Sequence, residues 1–142
     1  TFPVTIIGRP VMPYDYAYLE KLKAFPNATF LGFVPHSEMP PHYSRADVFV
    51  NLSPTGGIDK AVLEAMAAGC LVLVANRAFA PYIKDERLMF EHGNSEDLAR
   101  KIKALTVLPI EEKRRLSGML EASVAAHHSL DQTIQKIYNL IS

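Results

Sequence analysis

The 142-residue chain has a single cysteine, Cys70, set in the apolar run CLVLVA. A disulfide framework is therefore excluded, and a reducing, cytoplasmic compartment is expected. Charge of one sign is not in excess. Fifteen Lys and Arg balance fifteen Asp and Glu, for a formal net charge of zero. A nucleic-acid binder that works through bulk charge carries a basic surplus, so that class is set aside. No apolar run is long enough to span a bilayer, no stretch reads as a signal peptide, and no internal repeat or low-complexity tract is visible. Several motifs are missing too. There is no G-x-G-x-x-G dinucleotide fingerprint, no G-x-x-x-x-G-K-[ST] phosphate loop and no G-x-S-x-G nucleophile elbow. The five histidines His36, His42, His92, His127 and His128 form no H-x-x-x-H pair, so no metal is expected.

What remains is ordinary globular material, 49% hydrophobic and 21% charged, of a length that suits one domain spanning residues 1–142. The chain opens on Thr1 rather than Met, with a strand pattern almost at once. It reads as a piece of a longer protein.

Short apolar runs alternate with helical patterns. The runs are Val4–Ile7, Ala28–Phe33, Asp47–Leu52, Leu71–Ala75 and a short fifth at Arg87–Phe90. Helices are predicted over Tyr16–Phe25, Ser37–Ser44 and Ile58–Ala68. Asn94 or Ser95 caps a further helix with Leu98, Ile102 and Leu105 inward, and Pro109 opens another with Leu116, Met119 and Leu120 inward. Ser129 and Gln132 form a capping pair for a last helix, Leu130–Ile141. His127-His128 reads as an exposed helix junction. Apolar runs without clean alternation point to strands buried on both faces, hence a doubly wound, Rossmann-like, mostly parallel α/β sheet. Ligands of such sheets bind beyond the carboxyl ends of the strands. That singles out the loops Gly8–Pro13, Phe33–Ser37, Ser53–Asp59, Asn76–Pro81 and Glu91–Asn94.

Ser53–Asp59 has the most unusual composition. Gly56 and Gly57 tolerate positive φ and let a ligand approach the backbone. Ile58, Asp59 and Lys60 then present amides at a helix start, a ready anion site to which Lys60 adds a charge. Glu64, one turn further in, suits the two donors of a ribose diol. A plainer reading stands beside this one. The glycines form a tight turn, Asp59 is a cap, and Lys60–Glu64 is an exposed pair contributing about 0.3 kcal/mol. Ile58, Val62, Ala65, Met66 and Gly69 fall on the other side of this helix. Ser53 and Thr55 satisfy turn amides. Asp47 begins a strand, the wrong end for a phosphoacceptor.

The stretch FLGFVPHSEMPPHYSRADVFVNLSPTGGIDKAVLEAMAAGCLVLV resembles the C-terminal, donor-binding half of group 1 (family four) retaining glycosyltransferases of the GT-B fold. LEAMAAG, Leu63–Gly69, is its most specific part. The resemblance implies sugar transfer from a nucleotide-sugar donor, without a bound metal or other cofactor. It places Glu64 on the ribose, the amides of Ile58 to Lys60 on the diphosphate, and Phe33 and Val34 beside the base. Arg9, at a strand end but on the wrong strand to be the family's Arg, is a further donor-binding candidate as a phosphate contact, or else a solvated loop residue, and His36 lies at the ligand edge. Two departures stand out. Where the family has a first Glu, eight positions before Glu64, this chain has Gly56. Either Asp59 substitutes from three residues on or the donor sugar differs, and the catalytic residue is left open, with Asp59 and Lys60 as candidates. The family's first donor-domain strand, with its Gly-Arg and Lys, and its whole acceptor-binding half are lacking. The resemblance therefore implies an isolated piece that does not turn over, and any peripheral membrane contact is expected of the absent half. A GT-B epimerase is disfavoured because such enzymes lack Leu63–Ala67. The remaining alternative is a non-catalytic GT-B-like module for nucleotide binding or assembly.

Overall fold

The computed structural model describes residues 2–10, 12, 15–54 and 56–128. The chain divides into two compact units at Met39/Pro40.

In the first unit, strand β1 (Val4–Ile7) is followed by helix α1 (Asp15–Lys23) and strand β2 (Ala28–Gly32). The two strands are parallel, with Val4 opposite Ala28. The β-branched run VTII suits a pleated surface, and Pro26-Asn27 stops α1 before β2. Asn27 then ties the start of β1: its Nδ2 donates to the Phe2 carbonyl at 2.6 Å, and its own carbonyl accepts from the Val4 amide at 2.8 Å. The expected helix over Ser37–Ser44 is two pieces, a 3₁₀ turn at His36–Glu38 and helix α2 (Pro40–Arg45), which opens the second unit. Pro40 and Pro41 have no N–H to bond back to residues 36 and 37, so a continuous ladder cannot form.

In the second unit, strands β3 (Val48–Asn51) and β4 (Leu71–Val74) are parallel, with Val48 opposite Leu71 and Asn51 opposite Val74. Leu71 to Val74 are all at most 4% exposed, which is what an unalternating apolar run requires. Helix α3 (Lys60–Ala67) connects these strands. It is shorter than expected: Ile58 precedes the cap and Gly69 follows the end, while Val62, Ala65 and Met66 are buried. Helices α4 (Ser95–Thr106) and α5 (Ile110–His127) complete the unit; α4 contacts β3, and α5 packs on α3 and β4. Asn94 caps α4 by accepting from the Asp97 amide at 2.9 Å. Leu105, Leu116 and Leu120 are fully buried, with Leu98, Ile102 and Met119 half-buried. The predicted helix at Leu130–Ile141, with Ser129 and Gln132, lies outside the described residues.

The expected strand at Arg87–Phe90 is a 3₁₀ turn, Glu86–Leu88, followed by one bridge from Met89 to Val74. Asp85 turns the chain there by accepting from the Arg87 amide and clamping its guanidinium. Leu88, Met89 and Phe90 are nevertheless buried, so their apolar character marks core rather than strand. At the end of α5, His127 is exposed, but His128 is half-buried because both imidazoles lie against Tyr82, at 5.5 and 4.8 Å between ring centres. Among the described residues no helix is long and apolar enough to cross a membrane. The mixed α/β architecture, with short parallel strand pairs flanked by helices, is the class read from the sequence.

Gly69 sits at φ +76°, and a Cβ there would stand 3.1 Å from both Ser117 Oγ and Glu121 Oε1. The Ser117 hydroxyl also donates to the Gly69 carbonyl at 2.8 Å. Gly69→Ala is expected to cost about 1–2 kcal/mol from the left-handed backbone, read as a lower urea midpoint, with crowding adding to it. A surface network makes a pH prediction. Arg87 donates to Asp85 and Glu112, and Arg115 donates to Glu112. These guanidinium bonds bring the Glu112 carboxyl down to about 2 and lower that of Asp85. A lowered carboxyl makes the unfolded state the stronger proton binder. The network's contribution is thus present above about 4.5 and lost as pH falls toward 2. In Glu112→Gln the urea midpoint should fall less steeply across that window, and salt should shrink the difference.

Candidate functional site

Parallel strands end at the same edge of their sheet, so the segments after β3 and β4 meet there. The Ala75 amide donates to the Asn51 carbonyl at 3.3 Å. Each strand also delivers an asparagine. Asn51 Nδ2 donates to Asp59 Oδ2 at 2.8 Å, and its Oδ1 accepts from the Ser53 amide at 3.2 Å. Asn76 Nδ2 donates to the Gly57 carbonyl at 3.3 Å, and its Oδ1 accepts from the Ala78 amide at 2.9 Å. The glycine loop is thus held at two points by side chains from the strand ends.

Asp59 is the N-cap of α3. Its Oδ1 accepts from the Ala61 amide at 3.1 Å, while Oδ2 takes Asn51. Both carboxylate oxygens are engaged, so the capping reading of Asp59 describes its geometry. Gly56, at φ +113°, and Gly57 are exposed, as is Lys60, while Ile58 is half-buried. Among the described residues nothing accepts a hydrogen bond from the amides of Gly57, Ile58, Asp59 or Lys60. No ion pair joins Lys60 to Glu64, although they are one turn apart on α3. The helix start therefore offers open donors and an exposed cation on one short arc of backbone, the chemistry of an anion site.

Glu64, half-buried, is oriented by a side chain from another helix. The Tyr43 hydroxyl, on α2, donates to Glu64 Oε2 at 3.0 Å. Tyr43 itself is 5% exposed, with its ring edge-on to Phe49 of β3 at 5.6 Å and 75°. Burial first, then the bond to Glu64 and the charges of Glu64 and Asp59, push its hydroxyl up to about 12. It stays a neutral donor through the physiological range, leaving Glu64 an acceptor.

Arg9, Phe33 and Val34 belong to the first unit. Arg9 and Phe33 come together there, with the guanidinium carbon 5.7 Å from the centre of a ring that is 68% exposed. Val34 is half-buried, and His36, exposed, opens the 3₁₀ turn. Of the two hydroxyl residues in the glycine loop, Ser53 has its amide bonded to Asn51, and Thr55 is outside the described residues. Asp47, expected to begin the strand, lies one residue before β3 and so at the same end of it. A hollow of about 510 Å³ lies elsewhere, at the start of α4. Its Arg100 pairs with Asp97 and its Lys101 with the Glu86 and Met89 carbonyls. Among the described residues, no cluster of three His, Cys, Asp or Glu side chains could hold a metal ion.

Sequence reasoning missed Asn51 and Tyr43, and had Asn76 only as the first residue of a ligand-edge loop. The available signal was an asparagine closing a strand run at 51 and another directly after one at 76. Tyr43→Phe keeps the ring and removes only the donor. It should lower stability by about 0.5–1.5 kcal/mol in urea denaturation, and the tyrosine that ionises near 12 should vanish from an ultraviolet alkaline titration.

Residues 1–106 match the family described as glycosyl transferases group 1. The chain is 33% identical over 106 residues to the sulfoquinovosyl transferase SQD2 of Arabidopsis thaliana, a match that covers 70% of this chain and only 20% of that protein. Among solved structures, Alr3699/HepE of Anabaena in complex with UDP superposes with a TM-score of 0.84, over 99% of this chain and 40% of that one, at 15% identity. The C-terminal domain of a group 1 glycosyl transferase (LpcC) from Francisella tularensis gives 0.72, over 84% and 66%, at 22% identity. The structural likenesses establish the fold, and the sequence match establishes the relationship: the chain belongs to the group 1 glycosyltransferases, with the architecture of the C-terminal half of a GT-B enzyme.

Proposed function

We propose that this chain is the donor-binding half of a retaining glycosyltransferase that moves a hexose from a nucleotide-sugar to an acceptor. One observation carries the reading: in a member of this family, the amides of Ile58 to Lys60 are open at a helix start, and Glu64 is held as an acceptor one turn further in. The donor's diphosphate is read onto Gly56, Gly57, the three amides and Lys60, and its ribose onto Glu64. As the sugar departs, charge grows on the diphosphate. Fixed amides and a lysine stabilise such charge without reorganising, so the reading needs no metal. Asp59, whose oxygens are both occupied, serves by holding the helix start rather than by touching sugar. Within the first unit, Arg9 and the exposed face of Phe33 offer a cation and an aromatic surface, suited to a phosphate and a base. UDP is the first nucleotide to test, because HepE is seen with it. The setting is read as cytoplasmic, with any membrane contact made by the acceptor-binding half.

The chain spans 20% of its sulfoquinovosyl transferase relative. The isolated piece is accordingly read as inactive, since enclosure of the donor between two halves supplies much of the positioning that accelerates transfer. A non-catalytic nucleotide-binding or assembly module is the second reading, favoured by Gly56 standing where the family has its first Glu.

A thermal-shift series with UDP, GDP, ADP and their sugars tests the site. A ligand at a hundredfold excess over its Kd stabilises by about 2.7 kcal/mol. Glu64→Ala should remove most of the shift given by the best nucleotide. An unchanged shift would make Glu64 a surface residue and end the reading. Sugar transfer by the isolated chain would overturn its assignment as inactive.

A further inference from the structure

We propose that Asn76 is a positioning residue for the diphosphate: it touches no ligand atom and acts by fixing which way the Gly57–Ile58 peptide faces. The inference rests on the reading of Ile58 to Lys60 as the diphosphate contact. Asn76 is 4% exposed and is the one polar side chain buried to that degree among the described residues. Its orientation is settled by chemistry. The Ala78 N–H can only donate, so the amide oxygen must face it. The Gly57 carbonyl can only accept, so the amide nitrogen must face that.

A trans peptide is planar, and its C=O and N–H point in opposite directions. With the Gly57 carbonyl drawn to the buried Asn76, the Ile58 N–H faces away from it, and no described residue accepts from that N–H. Gly57 has no Cβ, and nothing lies within 4 Å of where one would be. A complete flip is opposed by Ile58, a β-branched residue held at negative φ. Within the range Ile58 allows, Gly57 leaves its own ψ loosely restrained, and the bond from Asn76 supplies the remaining constraint. An aspartate at 76 would keep the cap on Ala78 but turn an oxygen toward the Gly57 carbonyl. An alanine would lose both bonds.

The test is a pyrophosphate titration of the 142-residue chain by amide NMR, following Ile58 and Lys60, in the unaltered protein and in Asn76→Asp, Asn76→Ala and Asn94→Ala. Asn94 caps a different helix, α4, so Asn94→Ala controls for the loss of a cap. The unaltered chain should show pyrophosphate shifting both amides. Both Asn76 variants should bind about fivefold more weakly, the worth of one hydrogen bond, while Asn94→Ala lowers the melting temperature and keeps the affinity. If the Asn76 variants melt earlier but bind as the unaltered chain does, Asn76 is a cap only and the proposal is overturned, with the diphosphate reading intact. Weakening confined to Asn76→Asp would indicate charge repulsion and also overturn it. If pyrophosphate fails to shift Ile58 and Lys60 in the unaltered chain, the diphosphate reading fails first and this inference falls with it.

Discussion

The parallel pairing of β3 with β4 is the constraint on which the site depends. Asn51 stands opposite Val74, so whatever follows either strand emerges at one edge. The pairing is held by burial: Leu71 to Val74 are almost entirely withdrawn from water on both faces, so β4 cannot leave its place without exposing them. Full burial of a Val or Leu contributes roughly 1.5–3 kcal/mol, against about 1 kcal/mol net for one loop hydrogen bond. The core therefore decides where the glycine loop is, and the bonds from Asn51 and Asn76 decide how it is aimed.

The polar groups around the loop divide into those already satisfied and those left open. Asp59 is taken up by Asn51 and Ala61, and Asn76 by Gly57 and Ala78. Glu64 receives Tyr43, whose ring is in turn set against Phe49. The acidic side chains nearest the helix start thus receive hydrogen bonds from within the protein, while the backbone donors have no acceptor among the described residues and Lys60 is exposed. That asymmetry is what a negatively charged partner requires, and it arises because the anchors come from buried or half-buried positions.

Much of this was legible in the sequence wherever the signal is local. Leu71–Val74 is a strand because an unbroken apolar run between a glycine and an asparagine has few alternatives, and Asn94 caps because its partner is three residues away. The segment Leu63–Gly69 carries the family resemblance on its own. Non-local pairings were not legible. Asn51 finds Asp59 eight residues on, Asn76 reaches back nineteen to Gly57, and Tyr43 meets Glu64 across twenty-one. No spacing rule encodes such contacts; the sheet and the helix packing create them. Arg87–Phe90 failed for a different reason. Its apolar residues are buried as expected, but the Asp85–Arg87 clamp bends the backbone into a turn before a strand can form.

The two ends of α3 are fixed by different devices, Asp59 in front and the left-handed Gly69 behind, with Glu64 between them tied sideways to Tyr43. Each added or deleted residue in a helix rotates everything beyond it by about 100°. A single-codon insertion between Asp59 and Glu64 would swing the carboxylate off Tyr43, or else force the cap off its asparagine. This short arc should accordingly tolerate exchange of one side chain for another far better than any change in its length, and descendants of this gene should vary there in spelling but not in count.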